Sequence, residues 1–553
     1  MERIEQKESY LLKKNIANLV VDSLISNGID TLYCVPGVQN DHLFNAIYDR
    51  QNELNPLQAR HEQGAVYMAL GAALATGRQQ AFSLVPGPGL LNGSAALCTA
   101  YALNAPLLGV IGQIPSRAIG KGLGLLHEID GQLEILSKLT KHADRISSAS
   151  VAPEQMLTAW SEMQTGRSRP VAVEVPVDMW LQECDYDSAT LSVNEHPSLQ
   201  FDSECIAAAA RLIETSQRPL VVVGSGAQAH AKQVRELARL IGAGTIAFRT
   251  GHGVMPSDDA LHLNMPAGHA LWPDCDLVIG LGTRLFAQKN QWGLDEKIKV
   301  IHIDIDDDQL TKSPPANVAI HADLAVALPA LQNALQDQPS RREWREQIVR
   351  VKQETMVKIA GDLAPQLSWL SAIRNALPPN GLFVDELTQI GFVSRFAFPS
   401  FQPRTFLSTG YQGTLGWGIA TAIGAAHARR DVPVVSITGD GGALFSITEL
   451  ATAVHHKIPV NIVVMNDNAF GNVRGIQRDE FDGRYIASDL TSPDFVALAN
   501  SFGVTAARAQ SPEELERELV KAIANNGPNL IEVPVGEFPS PWKYIQLGQV
   551  RGG

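Results

Sequence analysis

Short runs of apolar, often β-branched residues alternate with helical stretches along the whole chain. This alternation is typical of doubly wound α/β domains, in which helices cover a central parallel sheet. Two polar, proline-containing stretches interrupt it, near residues 185–201 and near residues 336–341. The pattern therefore predicts three α/β domains with central parallel sheets, and we place them at residues 1–190, 200–336 and 362–553.

Two strand-like runs near the end of the chain each break off into a turn that carries oxygen side chains. Residues 434–442 read VVSITGDGG, and residues 463–470 read VVMNDNAF. In an open parallel sheet, both turns would lie at the carboxyl ends of strands, where ligands bind. Glycines there let backbone N–H groups approach phosphate oxygens, and hard oxygen ligands suit Mg²⁺. The pair of turns therefore indicates a site for a phosphate-bearing cofactor and Mg²⁺.

The central segment has features of a nucleotide-binding fold. An apolar run leads into a glycine turn at residues 224–226, and a later run at residues 300–306 ends in acids. The Gly-x-Gly is isolated, however, and the acid comes too late for a dinucleotide fingerprint. We therefore favour a structural, cofactor-free central domain, with dinucleotide binding as the alternative.

Composition and charge exclude several classes of protein. The net charge of −13 argues against a nucleic-acid or anionic-membrane surface. The five cysteines form no Cys-x-x-Cys pair, which suits a reducing compartment. Residues 1–7 lack the apolar core of a secretory signal, and the most apolar stretch, residues 98–112, is too short to span a membrane. We expect a cytoplasmic protein with neither nucleic-acid nor membrane partners.

Several ordered motifs carry a resemblance to a known family. They read RHEQGA at residues 60–65, VPGPGLLN at 85–92, GQIP at 112–115 and GTLGWG at 413–418. Together with the Gly-Asp-Gly turn and the second turn after it, they resemble the thiamine-diphosphate-dependent enzymes of the acetolactate synthase, pyruvate oxidase and benzaldehyde lyase family. The resemblance covers nearly the whole chain. It implies thiamine diphosphate and Mg²⁺ as cofactors, a pyrimidine-binding first domain and a diphosphate-binding third domain.

The resemblance also implies roles at the reactive end of the cofactor. Glu62 would hydrogen-bond N1′ of the aminopyrimidine and favour the 4′-imino tautomer, which activates the thiazolium C2 carbon. Leu415 would force the cofactor into its bent shape. The backbone carbonyl of Gly413 would accept a hydrogen bond from the 4′-amino group.

At the other end of the cofactor, Asp440, Asp467 and the carbonyl of Ala469 would hold Mg²⁺ with diphosphate oxygens and water. The family usually has Asn at the position of Asp467, and a second carboxylate should strengthen the metal contact but repel the phosphates. The other residues that the resemblance assigns to the cofactor are Leu387, Thr388, Gln389, Gly439, Gly441, Gly442, Ala443, Asn468 and Phe470.

The residues expected around the reacting carbon match no single relative. Pyruvate decarboxylases have a His-His doublet where this chain has His127-Glu128, and an acid where it has Val473. Acetolactate synthases have Gln at the position of His127 and Trp at that of Ile476. They also have two acids shortly after Arg284 that this chain lacks. These differences argue against FAD and against a second 2-oxo acid site like that of acetolactate synthases.

Three further polar residues are candidates for the substrate pocket. Gln39 aligns with the active-site His of benzaldehyde lyase. We interpret His127 as a proton relay, with a buried structural histidine as the alternative. Gln113 is expected to be a polar wall residue of the pocket.

We therefore predict a thiamine-diphosphate- and Mg²⁺-dependent enzyme that decarboxylates a 2-oxo acid and joins the acyl carbanion to a second carbonyl, as acetolactate synthase does. One alternative is a decarboxylase or aldehyde lyase, similar to benzoylformate decarboxylase or benzaldehyde lyase. An alternative from another class is a cofactor-binding homologue without turnover. The substrates of the predicted enzyme would be small 2-oxo acids or aldehydes. Because the family forms its active sites between chains, a homodimer or homotetramer is also implied.

Overall fold

The computed structural model describes residues 14–193, 201–336 and 338–552. Its strands form three six-stranded sheets in which neighbouring strands run parallel. The predicted α/β class with central parallel sheets is confirmed. The chain divides into two compact units: the first contains the N-terminal sheet, and the second contains the central and C-terminal sheets.

The N-terminal sheet has the strand order β2-β1-β3-β4-β6-β5. Its strands are β1 (Thr31–Cys34), β2 (Asn55–Gln58), β3 (Gln80–Leu84), β4 (Leu107–Gln113), β5 (His142–Arg145) and β6 (Val171–Pro176). The helices are α1 (Ile16–Ser26), α2 (Asp41–Tyr48), α3 (Glu62–Thr76), α4 (Pro88–Ala102), α5 (Gln132–Leu139) and α6 (Ala152–Gln164). Residues 67–78, which include most of α3, belong to the second unit.

The central sheet has the order β12-β11-β10-β7-β8-β9. Its strands are β7 (Pro219–Val223), β8 (Gly244–Ala247), β9 (His262–Leu263), β10 (Leu277–Leu281), β11 (Lys299–Asp304) and β12 (Val318–His321). The helices are α7 (Ser203–Thr215), α8 (Ala231–Ile241), α9 (Met265–Leu271), α10 (Phe286–Asn290), α11 (Asp307–Leu310), α12 (Leu324–Ala334) and the longer α13 (Arg342–Asp362). This order is that of the dinucleotide-binding fold. The apolar run and the glycine turn at residues 224–226 had suggested such a fold.

The C-terminal sheet has the order β14-β13-β15-β16-β18-β17. Its strands are β13 (Leu382–Val384), β14 (Phe406–Leu407), β15 (Val434–Gly439), β16 (Asn461–Asn466), β17 (Thr505–Arg508) and β18 (Asn529–Pro534). The helices are α14 (Ala364–Ala376), α15 (Gln389–Ala397), α16 (Trp417–Ala428), α17 (Asp440–Ala443), α18 (Leu450–His455), α19 (Gly471–Glu480), α20 (Phe495–Ser501) and α21 (Pro512–Asn525). Counted along the chain, its order is the same as that of the N-terminal sheet.

The strands form because they are short apolar runs that the sheet can bury on both faces. β4 and β6 are buried along their whole length, as expected for central strands of a parallel sheet. Helix ends follow local chemistry: Asn264 caps α9 through the N–H of Ala267 at 2.9 Å, and Gly242 ends α8 in the left-handed region. The apolar runs of the sequence thus form the buried strands, and residues with capping chemistry lie at the helix ends.

Some predictions fall outside the residues that the structure describes. These are residues 1–7, on which the argument against a secretory signal rests, and residues 194–200 of the first predicted domain boundary. The domain limits at 190, 200, 336 and 362 stay predictions. None of the helices in the described ranges combines the length and apolar character needed to cross a membrane.

Candidate active site

Asp440 and Asp467 follow two neighbouring strands of the C-terminal sheet. β15 ends at Gly439 and β16 ends at Asn466, and the two strands pair in parallel. Because the carboxyl ends of adjacent parallel strands meet at one edge, the two acids come together there. Asp440 is buried, and its Oδ2 accepts a hydrogen bond from Ser492 Oγ at 2.6 Å. The structure thus joins two turns that are separate in sequence.

Burial and the neighbouring Asp440 carboxylate both act on Asp467. Burial and, after it, the neighbouring Asp440 carboxylate raise the pKa of Asp467 to about 6. Asp467 also accepts hydrogen bonds from Gln389 Nε2 at 2.8 Å and from the Ala469 N–H at 3.2 Å. A divalent cation beside both acids would relieve their repulsion.

The donor set fits a cation that is completed by a ligand. In the part of the chain that the structure describes, no group of three or more His, Cys, Asp or Glu side chains could hold a metal ion. Two carboxylates alone do not fill an octahedral Mg²⁺ shell, so backbone, water or phosphate oxygens must supply the rest. This is the arrangement expected where a metal ion bridges protein and diphosphate.

Hydrogen bonds hold the turn after β16 in one shape. Asn468 has a φ of 51°, in a region that Asn enters more readily than most residues. Its Oδ1 accepts the Ser492 N–H at 3.3 Å, and its carbonyl accepts the Leu490 N–H at 2.7 Å. The Phe470 N–H donates to the Ser488 carbonyl at 2.8 Å. The backbone between Asn468 and Phe470, which includes Ala469, is therefore fixed.

The glycines after β15 are required by packing. A Cβ added to Gly442 would lie 2.3 Å from Glu386 Oε1, and one added to Gly441 would lie 2.7 Å from the Phe470 ring. Neither position has room for a side chain. The next residue, Ala443, is fully buried. Because its residues are small, this turn can pack closely against Glu386 on one side and Phe470 on the other.

Glu386 is a buried acid that sequence analysis did not single out. Its Oε1 accepts the Gly416 N–H at 2.8 Å, and its Oε2 accepts the Gly418 N–H at 3.0 Å. Burial raises the pKa of Glu386 to about 7. The carboxylate ties the loop that carries Gly413 and Leu415 to the end of β13. Sequence could not reveal this, because acids are rarely buried.

Gly413 and Leu387 lie close together although they belong to separate motifs. Gly413 has a φ of 60°, and a Cβ placed on it would be 3.7 Å from the Leu387 side chain. The next residue, Thr414, has its hydroxyl 2.9 Å from the Tyr67 hydroxyl. Leu415 follows, partly exposed. The loop is thus supported on both sides, with Leu415 left accessible.

Thr388 and Gln389 have protein partners for their polar groups. Thr388 Oγ1 caps α15 by accepting the Gly391 N–H at 2.8 Å. The Gln389 amide bonds to Asp467 and to the backbone of Gly536 and Phe538. Both residues were expected to contact a diphosphate, and the structure shows that their side chains also build the turn itself.

In the first unit, Glu62 begins α3 and faces a partner on α4. Asn92 Nδ2 donates to Glu62 Oε2 at 3.0 Å. The α4 turn comes close as well, since a Cβ on Gly89 would lie 3.7 Å from Glu62 Oε1. Asn92 lies in the family motif at residues 85–92. Its hydrogen bond to Glu62 could not be predicted from sequence, because it depends on how α3 and α4 pack.

Family models match the chain in three consecutive segments. The N-terminal, central and C-terminal domain models of thiamine pyrophosphate enzymes match residues 14–135, 206–331 and 388–533. The chain belongs to the thiamine pyrophosphate enzyme family. The cofactor is therefore thiamine diphosphate, and the family resemblance predicted from the motifs is confirmed.

Curated relatives of this thiamine pyrophosphate enzyme align along nearly its full length. A probable acetolactate synthase large subunit from Methanocaldococcus jannaschii is 30% identical, covering 94% of this chain and 91% of the relative. A probable 2-ketoarginine decarboxylase from Pseudomonas aeruginosa is also 30% identical and covers 93% of each chain. The large subunit of acetolactate synthase isozyme 2 from Escherichia coli is 28% identical, covering 97% of this chain and 98% of the relative.

The residues predicted to line the substrate pocket of this thiamine pyrophosphate enzyme lie in the first unit. His127 has a φ of 67°, and its Nδ1 is 3.1 Å from Gln39 Oε1. Gln39 is nearly buried, and its Nε2 donates to the Leu126 carbonyl at 3.1 Å. The structure therefore brings together two residues that sequence analysis proposed separately.

Gln113 is bound within the protein. Its Oε1 accepts the Ile114 N–H at 2.7 Å, and its Nε2 donates to Glu174 Oε1 at 2.8 Å. Gln132 also donates to Glu174, and its Oε1 accepts the Gly87 N–H at 2.8 Å. This geometry favours a supporting role for Gln113, and its predicted contact with substrate stays a prediction.

Proposed function

We propose that this thiamine-diphosphate enzyme decarboxylates a 2-oxo acid and joins the acyl unit to a second carbonyl compound. The observation that carries this proposal is the set of relatives named acetolactate synthase large subunit, which align over more than nine-tenths of the chain. The paired acids after β15 and β16 and the Glu62–Asn92 pair supply the matching chemistry. The substrates would be small 2-oxo acids or aldehydes.

The diphosphate end of the cofactor would be held by the C-terminal sheet. Asp440, Asp467 and the carbonyl of Ala469 would bind Mg²⁺, with cofactor oxygens completing the shell. Gly413 would accept a hydrogen bond through its carbonyl, and Leu415 would support the bent cofactor. The turns that would surround the diphosphate comprise Leu387, Thr388, Gln389, Gly439, Gly441, Gly442, Ala443, Asn468 and Phe470.

When bound, thiamine diphosphate would supply a carbon nucleophile for the 2-oxo group and an acceptor for the electron pair left by CO₂. The protein's own part is to place protons. The Glu62 carboxylate, held by Asn92, would hydrogen-bond the cofactor's N1′. His127, oriented by Gln39, would exchange a proton with the substrate's oxygen or carboxylate.

Asn92 should matter because it orients Glu62. Replacing it by Asp puts a second carboxylate beside Glu62, so the acidic limb of the pH–rate profile should move to higher pH. Asn92→Ala should lower kcat by about tenfold or more, the size expected for a lost hydrogen bond to a charged group. Ser94→Ala, on the same helix, is the control and should leave the profile unchanged. An Asn92→Asp profile that overlays the wild-type one would show that Asn92 does not act through Glu62.

The runner-up is a decarboxylase or aldehyde lyase that protonates the intermediate instead of transferring it. The relative named 2-ketoarginine decarboxylase favours this alternative. The decarboxylase alternative differs from the proposed transfer only after CO₂ has left, whereas an aldehyde lyase cleaves a carbon–carbon bond without releasing CO₂. Incubation with a panel of 2-oxo acids, each with and without an aldehyde acceptor, followed by mass identification of products, separates them. If no 2-oxo acid gave thiamine-diphosphate-dependent CO₂ release, both the proposed transfer and the decarboxylase alternative would be wrong.

The central domain is proposed to act without FAD. At the switch point of its sheet, the glycine turn after β7 packs directly on the turn after β10. A Cβ on Gly224 would lie 2.3 Å from the Gly282 carbonyl oxygen, and one on Gly226 would lie 2.9 Å from Gly282 Cα. The contact lies at the switch point, where a pyrophosphate binds in dinucleotide folds, and we propose that it leaves little room for one there.

We therefore expect purified enzyme without visible flavin absorbance and with full activity in flavin-free buffer. Added FAD should change neither the rate nor the thermal midpoint, because the close approach of the two turns should exclude a pyrophosphate. A stoichiometric yellow chromophore that survives gel filtration would contradict this expectation and revive the flavin-dependent alternative.

A homodimer or homotetramer with shared active sites completes the proposal. Several large apolar side chains of the C-terminal domain are more than half exposed, among them Phe445, Phe481 and Ile486. Exposed apolar side chains of this kind commonly lie in subunit interfaces. A cytoplasmic location remains our prediction from sequence.

A further inference from the structure

The amide of Gln389 joins two parts of the C-terminal domain. Its Nε2 donates to Asp467 Oδ2 at 2.8 Å and to the Gly536 carbonyl at 3.1 Å, while its Oε1 accepts the Phe538 N–H at 2.7 Å. Rotating the amide by half a turn would place its oxygen against two acceptors. A single orientation of the Gln389 amide therefore satisfies both Asp467 and the backbone at Gly536 and Phe538. A shift of Asp467 would for this reason affect the contacts with that backbone, and the reverse.

The segment on the far side is the C-terminal tail, which we define as residues 536–552. Gln366 Nε2 donates to the Pro539 carbonyl at 2.6 Å, and the Trp542 ring lies 5.1 Å from the Phe392 ring. Lys543 Nζ lies 2.6 Å from Asp362 Oδ2. No strand or α-helix follows β18 in the described residues, and side-chain contacts hold this part of the tail. At the far end of the tail, Arg551 donates to the Trp272 and Cys275 carbonyls and pairs with Asp295.

We propose that Gln389 is a positioning residue that couples metal binding at Asp467 to docking of the C-terminal tail. A cation held by Asp440 and Asp467 fixes the Asp467 carboxylate. The fixed carboxylate holds Gln389 Nε2, and the amide then presents Oε1 to the Phe538 N–H. The inference rests on the metal site of the proposed function. It adds that binding of a cation at this site stabilises the docked C-terminal tail.

The test measures Mg²⁺ affinity by calorimetry and hydrogen exchange of the C-terminal tail, both on full-length protein with thiamine diphosphate present. In the wild type, Mg²⁺ should slow exchange at Phe538 and neighbouring amides by about two- to tenfold, the size of one net hydrogen bond. Gln389→Met should weaken Mg²⁺ binding by about 10–100-fold, as loss of a ligand-orienting partner does. In that variant, saturating Mg²⁺ should no longer slow exchange of the tail.

Gln366→Met is the matched control, because Gln366 clamps the tail at Pro539 without touching Asp467. It should speed tail exchange with and without Mg²⁺ and leave Mg²⁺ affinity at the wild-type value. Gln389→Asn, which keeps the amide but is one methylene too short to reach both sides, should reproduce Gln389→Met and guards against a folding defect.

Equal Mg²⁺ protection of the tail in the wild type and Gln389→Met would overturn the coupling, as would Mg²⁺ binding to the wild type without any change in tail exchange. Failure of the wild type to bind Mg²⁺ at all would overturn the coupling and the proposed metal site together. The calorimetric titration distinguishes that case from the other two.

Discussion

Replacing Glu62 by Gln should lower turnover by about 10²–10⁴-fold, the usual contribution of a positioned acid–base group. Gln keeps the size of the side chain and a hydrogen bond to Asn92, but it has no carboxylate to hold a proton at the cofactor. Cofactor and Mg²⁺ affinities should stay near their wild-type values, because the residues proposed to bind diphosphate and metal belong to the C-terminal domain. Calorimetry and steady-state rates measured on the same preparation test both parts.

Glu134→Gln provides the control for this prediction. Glu134 also lies in the first turn of a helix in the first unit, and it is exposed. The same change of charge there should leave the rate unaltered. Turnover of Glu62→Gln within twofold of the wild type would remove Glu62 from its proposed role.

Asp440→Ala should abolish activity by a different route, through loss of Mg²⁺ and with it the cofactor. If active sites are shared between chains, each site takes Glu62 from one chain and Asp440 from the other. A mixed dimer of Glu62→Gln and Asp440→Ala chains then has one intact site and one doubly damaged site. Co-expression of the two inactive variants should restore about a quarter of wild-type activity, since random pairing makes half of the dimers mixed.

Differently tagged chains allow the mixed dimers to be purified and assayed separately. Mixing Glu62→Gln chains with one another under the same conditions is the control and should give no recovery. An active monomer by light scattering, or inactive dimers that contain both tags, would contradict shared sites.

Much of the fold could be predicted because parallel α/β domains have a local signature. Buried strands such as β4 and β6 read as uninterrupted apolar runs, and the turns after β15 and β16 show their chemistry in a few consecutive residues. The shared strand order of the N-terminal and C-terminal sheets could not be predicted. Strand order depends on which distant segments pair, and local patterns do not specify it.

The candidate site was predictable to a similar extent. Asp440, Asp467 and Glu62 stand in compact motifs, so sequence alone identified them as candidates. The contacts that orient them could not be predicted: Asn92 on α4 reaches Glu62 on α3, and Gln389 after β13 reaches Asp467 after β16. Glu386 was missed because nothing in a sequence distinguishes a buried acid from the many exposed ones.

The carbon balance of the reaction tests the central claim most directly. The purified enzyme, with thiamine diphosphate, Mg²⁺ and a 2-oxo acid that it accepts, is given an aldehyde or second 2-oxo acid as acceptor. CO₂, remaining substrates and products are then quantified together. We predict that one acceptor molecule is consumed for each CO₂ released and that the product contains a new carbon–carbon bond. CO₂ release matched by free aldehyde, with the acceptor untouched, would contradict it.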